Sequence, residues 1–431
     1  MSNSIGKYIQ LQGGFAFKSS DFRESGIPLI RISNVTENGL NKSDAVFLPE
    51  EFIDELKDFL LKENDTLIAM SGATTGKCCL IKSTDIPGFI NQRVGRFRIL
   101  NEKETDKLFV YHVVNSSRFK DELLKDAFGS AQPNVSPRDI ENVKWYFPSF
   151  TEQQHIAKIL STADAVIEKT QAAIAKYKAI KQGMLQDLFT RGIDLNTNKL
   201  RPRYQDAPEL YKESKLGMIP WEWDEKIFGE EVDLIHGHQF RDYDFTEFGI
   251  PVVKIGQVKP ENVDLSSCSF VAYGREDEFQ NETIRNGDVL MALTGATLGK
   301  ACLVKGLNGI VLQNYRVGRF EPIIKENDID KEFLYYLLIA GDLLTQIFNK
   351  VNTGAQGNIG KADFEKATFK KPPFDEQQKI AERLKAIDNK LQTEQTYLLK
   401  MQSLKKGLME DLLSGKKQVK VAEEVLTQSE N

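Results

Sequence analysis

The chain has 431 residues, of which 41% are hydrophobic, and a net charge of −5 from 57 basic and 62 acidic side chains. This length predicts two or three domains, and the charge excludes a uniformly basic nucleic-acid binder but not a locally basic face. No apolar run reaches the ~20 residues of a bilayer span, and residues 1–7 lack a signal-peptide core, so we expect a cytoplasmic protein without membrane contact. The four cysteines form no Cys-x-x-Cys pair, which excludes a disulfide framework and a zinc ribbon.

Each globular part of the chain is predicted to mix strands and helices, at residues 1–150 and 216–374. Short β-like runs alternate there with segments rich in Gly, Asn and Pro, and each part also carries one short helix. We therefore predict two α/β (α+β) domains. The β-like runs are Ile27–Ser33, Asp65–Met70, Ile250–Ile255 and Asp288–Leu293, and the helices are Leu108–Ser116 and Glu332–Ala340.

A long helix is predicted after each globular part, at residues 151–192 and 375–414. Apolar residues recur there in steps of four and three, a 3.5-residue period typical of a coiled coil, and each helix is roughly 55–60 Å long. Lys181 and Lys405 each fill a matching gap in the two apolar series. Two core helices within bundles are the alternative, which the length and strict period disfavour. The predicted coiled-coil residues are Ile156, Leu160, Ile167, Ile174, Leu188, Ile380, Leu384, Leu391, Leu398 and Leu412.

Two segments have no periodic pattern. Residues 193–215 are polar and contain Pro202 and Pro208, which predicts a linker. Residues 415–431 are predicted to be a polar tail.

The chain repeats itself at a shift of 223 to 224 residues. Between Asp65–Phe97 and Asp288–Phe320, 17 of 33 positions are identical without a gap. Further along, Glu152-Gln153-Gln154 returns as Glu376-Gln377-Gln378. This pattern predicts a tandem duplication in which each copy has a globular part followed by a helical part.

No catalytic constellation is predicted. Gly72–Lys77 has three residues between its glycines where a Walker A motif needs four, and Cys78 follows instead of Ser or Thr. Lys371–Phe374 lacks the acceptor side chain with which amino-methyltransferases orient an amine. The pair His236 and His238 has no partner pair that would complete a metal site. We expect a non-catalytic chain that holds no metal or cofactor.

A basic strip recurs in both copies. Residues 71–98 contain five basic side chains against one acid, and residues 295–320 contain four and no acid. Contact with a polyanion is predicted for each strip, since each neutralised phosphate releases counterions. The glycine-rich turn at Gly72–Lys77 is a further candidate for holding a DNA phosphate. An ordinary solvated basic face is the alternative.

The two globular parts, each followed by Pro-x-Phe-x-Glu-Gln-Gln and a heptad helix, resemble the specificity subunit of a type I restriction–modification enzyme. The supporting motifs include Gly183–Phe189, Gly407–Leu413 and Leu216–Trp223. The resemblance covers nearly the whole chain. It implies two target recognition domains that each read one half of a bipartite site in double-stranded DNA, and two antiparallel helices that set the spacer between the halves.

The resemblance also implies partner subunits that carry the chemistry. Two methyltransferase (modification) subunits would dock here with S-adenosylmethionine for adenine methylation, and restriction subunits would add translocation and cleavage with ATP and Mg²⁺. A coiled-coil scaffold whose globular ends bind protein is the alternative.

Candidate DNA-contacting residues follow from comparing the two copies. Those that match are predicted to contact phosphate and sense DNA shape: Lys77, Arg93, Arg96, Lys300, Arg316 and Arg319. Those that differ within matched loops are candidates for reading bases, because Gln and Asn suit adenine edges and Arg suits guanine: Lys18, Ser19, Ser20, Asn34, Gln92, Arg241, Tyr243, Gln257 and Tyr315. An ordinary surface loop is the alternative for each. Because the copies align almost without insertions, we expect partly similar half-sites on opposite strands.

Overall fold

The computed structural model describes residues 2–37, 39–125, 134–324, 326, 328–350 and 358–419. They form two compact units: unit 1 lies within residues 1–172 and 395–431, and unit 2 within residues 173–394. Each unit therefore combines one globular part with segments of both long helices. The predicted tail 415–431 lies outside the described residues beyond residue 419.

Unit 1 is built on a four-stranded antiparallel sheet with a smaller sheet beside it. Its strands are β1 (Asn3–Ser4), β2 (Ile9–Gly13), β3 (Ile27–Ile30), β4 (Val35–Thr36), β5 (Gly39–Leu40), β6 (Val46–Leu48), β7 (Thr66–Ala69), β8 (Cys78–Leu80), β9 (Phe89–Ile90), β10 (Val94–Ile99) and β11 (Lys144–Trp145). The main sheet has the order β2-β10-β7-β8, and the smaller one has the order β6-β3-β9. Its helices are α1 (Phe52–Glu55), α2 (Lys107–Asn115), α3 (Ser117–Leu124) and α4 (Pro137–Asn142), followed by α5 (Phe150–Thr190).

Both faces of the main sheet of unit 1 are covered, because strand β7 is buried along its whole length. Successive side chains of a strand point to opposite faces. Ile68 accordingly packs with residues of α2 and α4, whereas Leu67 and Ala69 pack against Ile30 and Ile90 of the smaller sheet. The sheet is thus a platform between a helical layer and a second β layer.

Unit 2 repeats this architecture. Its strands are β12 (Ile193–Asp194), β13 (Lys199–Leu200), β14 (Tyr211–Ser214), β15 (Gly217–Pro220), β16 (Asp224–Ile227), β17 (Val232–His236), β18 (Phe245–Thr246), β19 (Ile250–Val253), β20 (Ser269–Val271), β21 (Val289–Ala292), β22 (Ala301–Leu303), β23 (Leu312–Gln313), β24 (Val317–Pro322) and β25 (Thr368–Lys371). The main sheet has the order β17-β24-β21-β22, which is the order of unit 1. Its helices are α6 (Phe228–Glu231), α7 (Lys331–Ala340), α8 (Asp342–Lys350), α9 (Lys361–Glu365) and α10 (Phe374–Leu412).

The repeated Glu-Gln-Gln motif attaches each long helix to its globular part. The Gln153 side chain accepts a hydrogen bond from the Asp106 backbone N–H at 3.0 Å, and Asp106 itself caps α2 by accepting from Phe109 N. Gln377 accepts from Asp330 N at 3.0 Å in the same way. The motif therefore ties the first turn of the long helix to the N-terminus of α2 or α7.

The two long helices pair antiparallel within each unit. In unit 1, Ile156 and Leu160 near the start of α5 share a core with Leu412 at the end of α10. In unit 2, Leu188 near the end of α5 shares a core with Ile380 and Leu384 near the start of α10. The prediction of two α/β domains with two long antiparallel helices is confirmed. Of the predicted coiled-coil positions, Ile167 and Leu398 are half-buried; the others are buried, namely Ile156, Leu160, Ile174, Leu188, Ile380, Leu384, Leu391 and Leu412.

Residues 193–215 are not an irregular linker, which corrects the sequence-based expectation. They form the hairpin β12–β13 and the first strand of the hairpin β14–β15. Buried Arg201 forms a bidentate ion pair with Glu376, at 2.6 and 3.0 Å, and the same carboxylate accepts a hydrogen bond from the Trp223 indole. Apart from Arg201, most polar side chains of this segment are exposed, so composition alone does not separate the two hairpins from a solvated linker.

Candidate nucleic-acid interface

Each unit gathers several loops at one end of its main sheet, which we call the turn edge. In unit 1 it consists of residues 14–20, 71–77 and 91–93, and in unit 2 of residues 237–243, 294–300 and 314–316. The Met70 N–H donates to the Arg93 carbonyl and the Phe15 N–H donates to the Ile90 carbonyl, which holds the three segments together. The corresponding bonds of unit 2 run from Leu293 N to Arg316 O and from His238 N to Gln313 O.

Arg93 and Arg316 occupy the same place on the two turn edges, one residue before β10 and β24, and both are exposed. The guanidinium of Arg93 lies 3.4 Å from the Ser71 hydroxyl. In unit 2 the guanidinium of Arg316 lies over the Tyr315 ring, 5.2 Å from its centroid, and Nε donates to the Tyr315 hydroxyl at 2.5 Å. Neither arginine is paired with a carboxylate among the described residues, so both are available to an external anion.

Arg96 and Arg319 have a structural role, which corrects the prediction that they contact phosphate. Arg96 is only 3% exposed; it donates to the Leu60 carbonyl at 2.6 Å and to the Asp65 carboxylate at 3.0 Å. Arg319 donates to the Thr283 and Asn281 carbonyls at 2.7 and 2.8 Å. Each arginine thus fastens its strand to the preceding loop. The repeated partners Asp65 and Asp288 were the signal for this role, since a surface phosphate contact needs no matching carboxylate.

Asn34 and Gln257 are also structural, which corrects their assignment as base-reading candidates. Asn34 is fully buried; its side chain accepts from the Arg31 N–H at 2.8 Å and donates to the Asn41 carbonyl at 2.9 Å. Gln257 accepts from the Lys254 N–H at 3.1 Å and donates to the Ser267 carbonyl at 3.0 Å. Both side chains close the same turn, and so they differ in type but not in function.

The glycine-rich turn takes a backbone conformation that depends on its two glycines. Gly72 and Gly76 have φ of +78° and +81°, a left-handed conformation that favours glycine. The N–H groups of Thr75, Gly76 and Lys77 donate to carbonyls of the same loop and strand. Those three amides are therefore not available to a phosphate, and the expectation that this turn holds a DNA phosphate stays a prediction. The lysine side chains remain candidates: Lys77 is half-buried and Lys300 is exposed.

The other base-reading candidates lie on the surface of the turn edges. Most of these side chains are exposed, and Tyr243 has 86% of its surface accessible to solvent. Tyr315 is half-buried because Arg316 lies over its ring. Lys18, Ser20 and Gln92 of unit 1 correspond to Arg241, Tyr243 and Tyr315 of unit 2. The two turn edges therefore share a backbone arrangement but carry different side chains. The exposed candidates are Lys18, Ser19, Ser20, Gln92, Arg241 and Tyr243.

A polar cluster on the long helices was not recognised from the sequence. In unit 1, Lys405 pairs with Asp164, whose carboxylate lies 3.8 Å from the His112 ring. In unit 2, the matching Lys181 pairs with Asp388 at 2.6 Å, and Asp388 accepts from the Tyr336 hydroxyl at 2.9 Å.

The signal for this cluster was the pair of lysines in the apolar series. Each lysine belongs to one long helix and its aspartate to the other, while His112 and Tyr336 come from α2 and α7. Burial and the Lys405 cation lower the pKa of His112 from 6.5 to about 3, so the imidazole is neutral. The clusters connect each globular part to its helix pair.

The described residues contain no group of His, Cys, Asp and Glu that would hold a metal ion. Within the same residues, no helix has both the length and the apolar composition needed to cross a membrane.

Comparison with known proteins gives one consistent family. The type I restriction modification DNA specificity domain matches residues 3–177 and 227–401. The MjaVIII specificity subunit of Methanocaldococcus jannaschii is 27% identical over 417 residues, which cover 95% of this chain and 88% of that protein. The EcoBI specificity subunit of Escherichia coli is 22% identical, covering 89% and 78%.

A solved structure shares the fold. The crystal structure of a type I restriction-modification S subunit from M. genitalium covers 96% of both chains, with a TM-score of 0.61 and 16% identity. Because two copies of the family domain account for most of the sequence, this chain belongs to the type I restriction–modification DNA specificity family and is a specificity subunit.

Proposed function

We propose that each unit reads one half of a bipartite DNA site through its turn edge. Arg93 and Arg316 contact the phosphate backbone, with Lys77 and Lys300 beside them. Lys18, Ser19, Ser20 and Gln92 contact bases in one half-site, and Arg241, Tyr243 and Tyr315 do so in the other. Phosphate contacts position a protein on the duplex, whereas base contacts specify the sequence.

The observation that carries this proposal is the shared placement of Arg93 and Arg316. Two exposed arginines recur at the same point of two sheets that have the same strand order, in a chain with a net charge of −5. The neighbouring side chain differs between the units, because Gln92 precedes Arg93 and Tyr315 precedes Arg316. A common phosphate anchor with a variable neighbour is the arrangement that two related half-site readers require.

The chemistry of the complete enzyme is assigned to partner subunits. We propose that two methyltransferase subunits bind this chain and hold S-adenosylmethionine, and that restriction subunits, where the system has them, supply ATP- and Mg²⁺-dependent translocation and cleavage. The paired helices would set the spacer between the half-sites. This chain would then carry recognition and no catalysis.

The test measures DNA binding by the chain assembled with its methyltransferase subunit. Sequencing of methylated adenines identifies the target, and the affinity for that duplex is then measured between 50 and 300 mM salt. R93A and R316A should each weaken binding and reduce the slope of log K against log salt by about one. R138A removes an exposed arginine of α4 and should leave the slope unchanged.

Base-reading variants should behave differently from phosphate variants. Q92A and Y315A are expected to relax the methylated motif at one position each, in opposite half-sites, at a cost of about 1–3 kcal/mol for the preferred base. We also propose that the half-sites are partly similar. Two half-sites without a shared base pattern would contradict that part, and unchanged salt slopes in both arginine variants would contradict the phosphate assignment.

A further inference from the structure

A basic groove of about 530 Å³ lies in unit 1, away from the turn edge residues. Its walls come from α3, from Trp145 on β11 and from the C-terminal turns of α10. We infer that this groove binds an acidic peptide segment of a partner protein. The inference goes beyond DNA recognition and does not depend on it.

The groove is lined by basic side chains that have no carboxylate partner among the described residues. Arg118, Lys406 and Lys416 are exposed, and none of them has a carboxylate partner among the described residues. Lys120 also lines the groove but is paired with Glu37 at 2.8 Å. Against the three unpaired cations stands the carboxylate of Glu410. The groove therefore carries a net positive charge that a ligand with several carboxylates would neutralise.

Two residues that line the groove, Trp145 and Asn115, each have a buried polar atom without a hydrogen-bond partner among the described residues. Trp145 is 3% exposed, and its indole N–H has no acceptor among the described residues. The Asn115 side-chain oxygen is likewise buried without a donor. Buried groups of this kind are rare, and each costs about 1–3 kcal/mol.

These two atoms favour a peptide over a nucleic acid. A peptide backbone brings both an acceptor for the Trp145 N–H and a donor for Asn115, whereas a phosphodiester brings acceptors alone. The exposed Arg118 guanidinium lies 5.2 Å from the centre of the Trp145 ring. Rotation of this side chain onto a ligand carboxylate would uncover the indole beneath it.

Unit 2 lacks the basic and polar residues of this groove at the corresponding positions. At the positions that correspond to Arg118, Asn115, Trp145 and Lys406, unit 2 has Asp342, Ile339, Phe369 and Gln182. The corresponding groove of unit 2 is smaller, about 280 Å³, and is lined mainly by apolar residues. The basic and polar lining of this groove is therefore specific to unit 1, which supports a role separate from the phosphate contacts that both copies share.

The test uses the full chain and a fluorescein-labelled hexaglutamate peptide, with anisotropy measured at 150 mM salt. The double variant R118D/K406Q replaces two cations by the residues of unit 2 and should lower the peptide affinity at least tenfold. W145F, which installs the residue at position 369, should lower it several-fold. The matched control K169D/K176Q lowers the net charge by the same amount at two exposed lysines of α5 and should leave it unchanged.

Three results would overturn the inference. Equal binding of the peptide by the R118D/K406Q variant and the unsubstituted chain would remove the groove as the site. A loss of duplex DNA affinity in R118D/K406Q, with peptide binding unchanged, would make it a DNA surface. A rise in peptide affinity in E423Q/E424Q/E430Q would mean that the chain's own C-terminal segment competes for the groove, in place of a partner.

Discussion

The ion pair between Lys181 and Asp388 should be energetically coupled, and its removal should destabilise unit 2. The two charges are 2.6 Å apart, and their side chains are 19% and 26% exposed. This burial lies between the surface case, worth up to about 1 kcal/mol, and the fully buried case, where loss of one partner costs about 3–5 kcal/mol. We therefore expect K181M to cost about 1–2 kcal/mol, because Asp388 keeps its hydrogen bond from Tyr336.

The aspartate variant should cost more than the lysine variant. D388L leaves both the Lys181 cation and the Tyr336 hydroxyl without their acceptor, so we expect a loss of about 2–3 kcal/mol. In the double variant K181M/D388L only the hydroxyl is left unpaired, and the cost should fall below that of D388L alone. The resulting coupling energy of the double-mutant cycle should be about 1–2 kcal/mol.

Unit 2 can be followed separately by its tryptophans. In a W145F background the fluorescence comes from Trp221 and Trp223, so urea unfolding at pH 7 reports on this unit alone. K178M is the matched control, since Lys178 is exposed on the same helix one turn earlier. A coupling energy under about 0.3 kcal/mol, or equal midpoints for K181M and K178M, would refute the reasoning.

Two further predictions concern unit 1. The pKa of His112 is about 3 in the folded chain and 6.5 in the unfolded chain, so protons bind preferentially to the unfolded state. The stability that the neutral ring contributes is therefore complete above pH 6.5 and decreases below it. At pH 5 the free energy of unfolding should be lower by about 2 kcal/mol. H112Y installs the residue found at position 336 and should abolish this component of the pH dependence in urea titrations at pH 7 and 5; an unchanged difference would show that other groups cause it. R96M should lower the unfolding free energy of unit 1 by about 2–4 kcal/mol, because it removes the cation that pairs with Asp65 and leaves the Leu60 carbonyl without its donor. A stable R96M chain with weakened DNA binding would mean that Arg96 contacts DNA instead.

The sequence predicted the architecture well because two strong periodic signals were present. The 3.5-residue period located both long helices, and the 223-residue repeat established that the two globular parts share one fold. The strands β7 and β21 were found from short apolar runs. The hairpins within residues 193–215 were missed because most of their polar residues are exposed, as in a linker, and because buried Arg201 pairs with Glu376, which lies more than 170 positions away.

The sequence predicted the candidate site only in part, because a residue can match between the copies for either of two reasons. It can contact the same ligand in both, or it can stabilise the fold that both share. Arg93 and Arg316 match and are exposed, whereas Arg96 and Arg319 match and hold the sheet together. The second pair differs from the first in its burial and in its repeated partners Asp65 and Asp288. Spacing along a strand gives the face that a side chain points to, but not whether a loop covers that face.

One scaffold can carry two recognition surfaces of different chemistry when the residues that hold the fold are separate from the exposed ones. The residues that fasten neighbouring loops and turns, Arg96 with Arg319 and Asn34 with Gln257, bond to backbone groups within their own unit. The residues around Arg93 and Arg316 make few such bonds, so their replacement leaves the fold intact. We therefore expect that transplanting the exposed turn-edge residues of unit 2 into unit 1, with the fastening residues untouched, transfers half-site preference without loss of stability. Measurement of the methylated motif and of the urea midpoint checks both parts, and a folded chain with unchanged preference would contradict the division between the two sets.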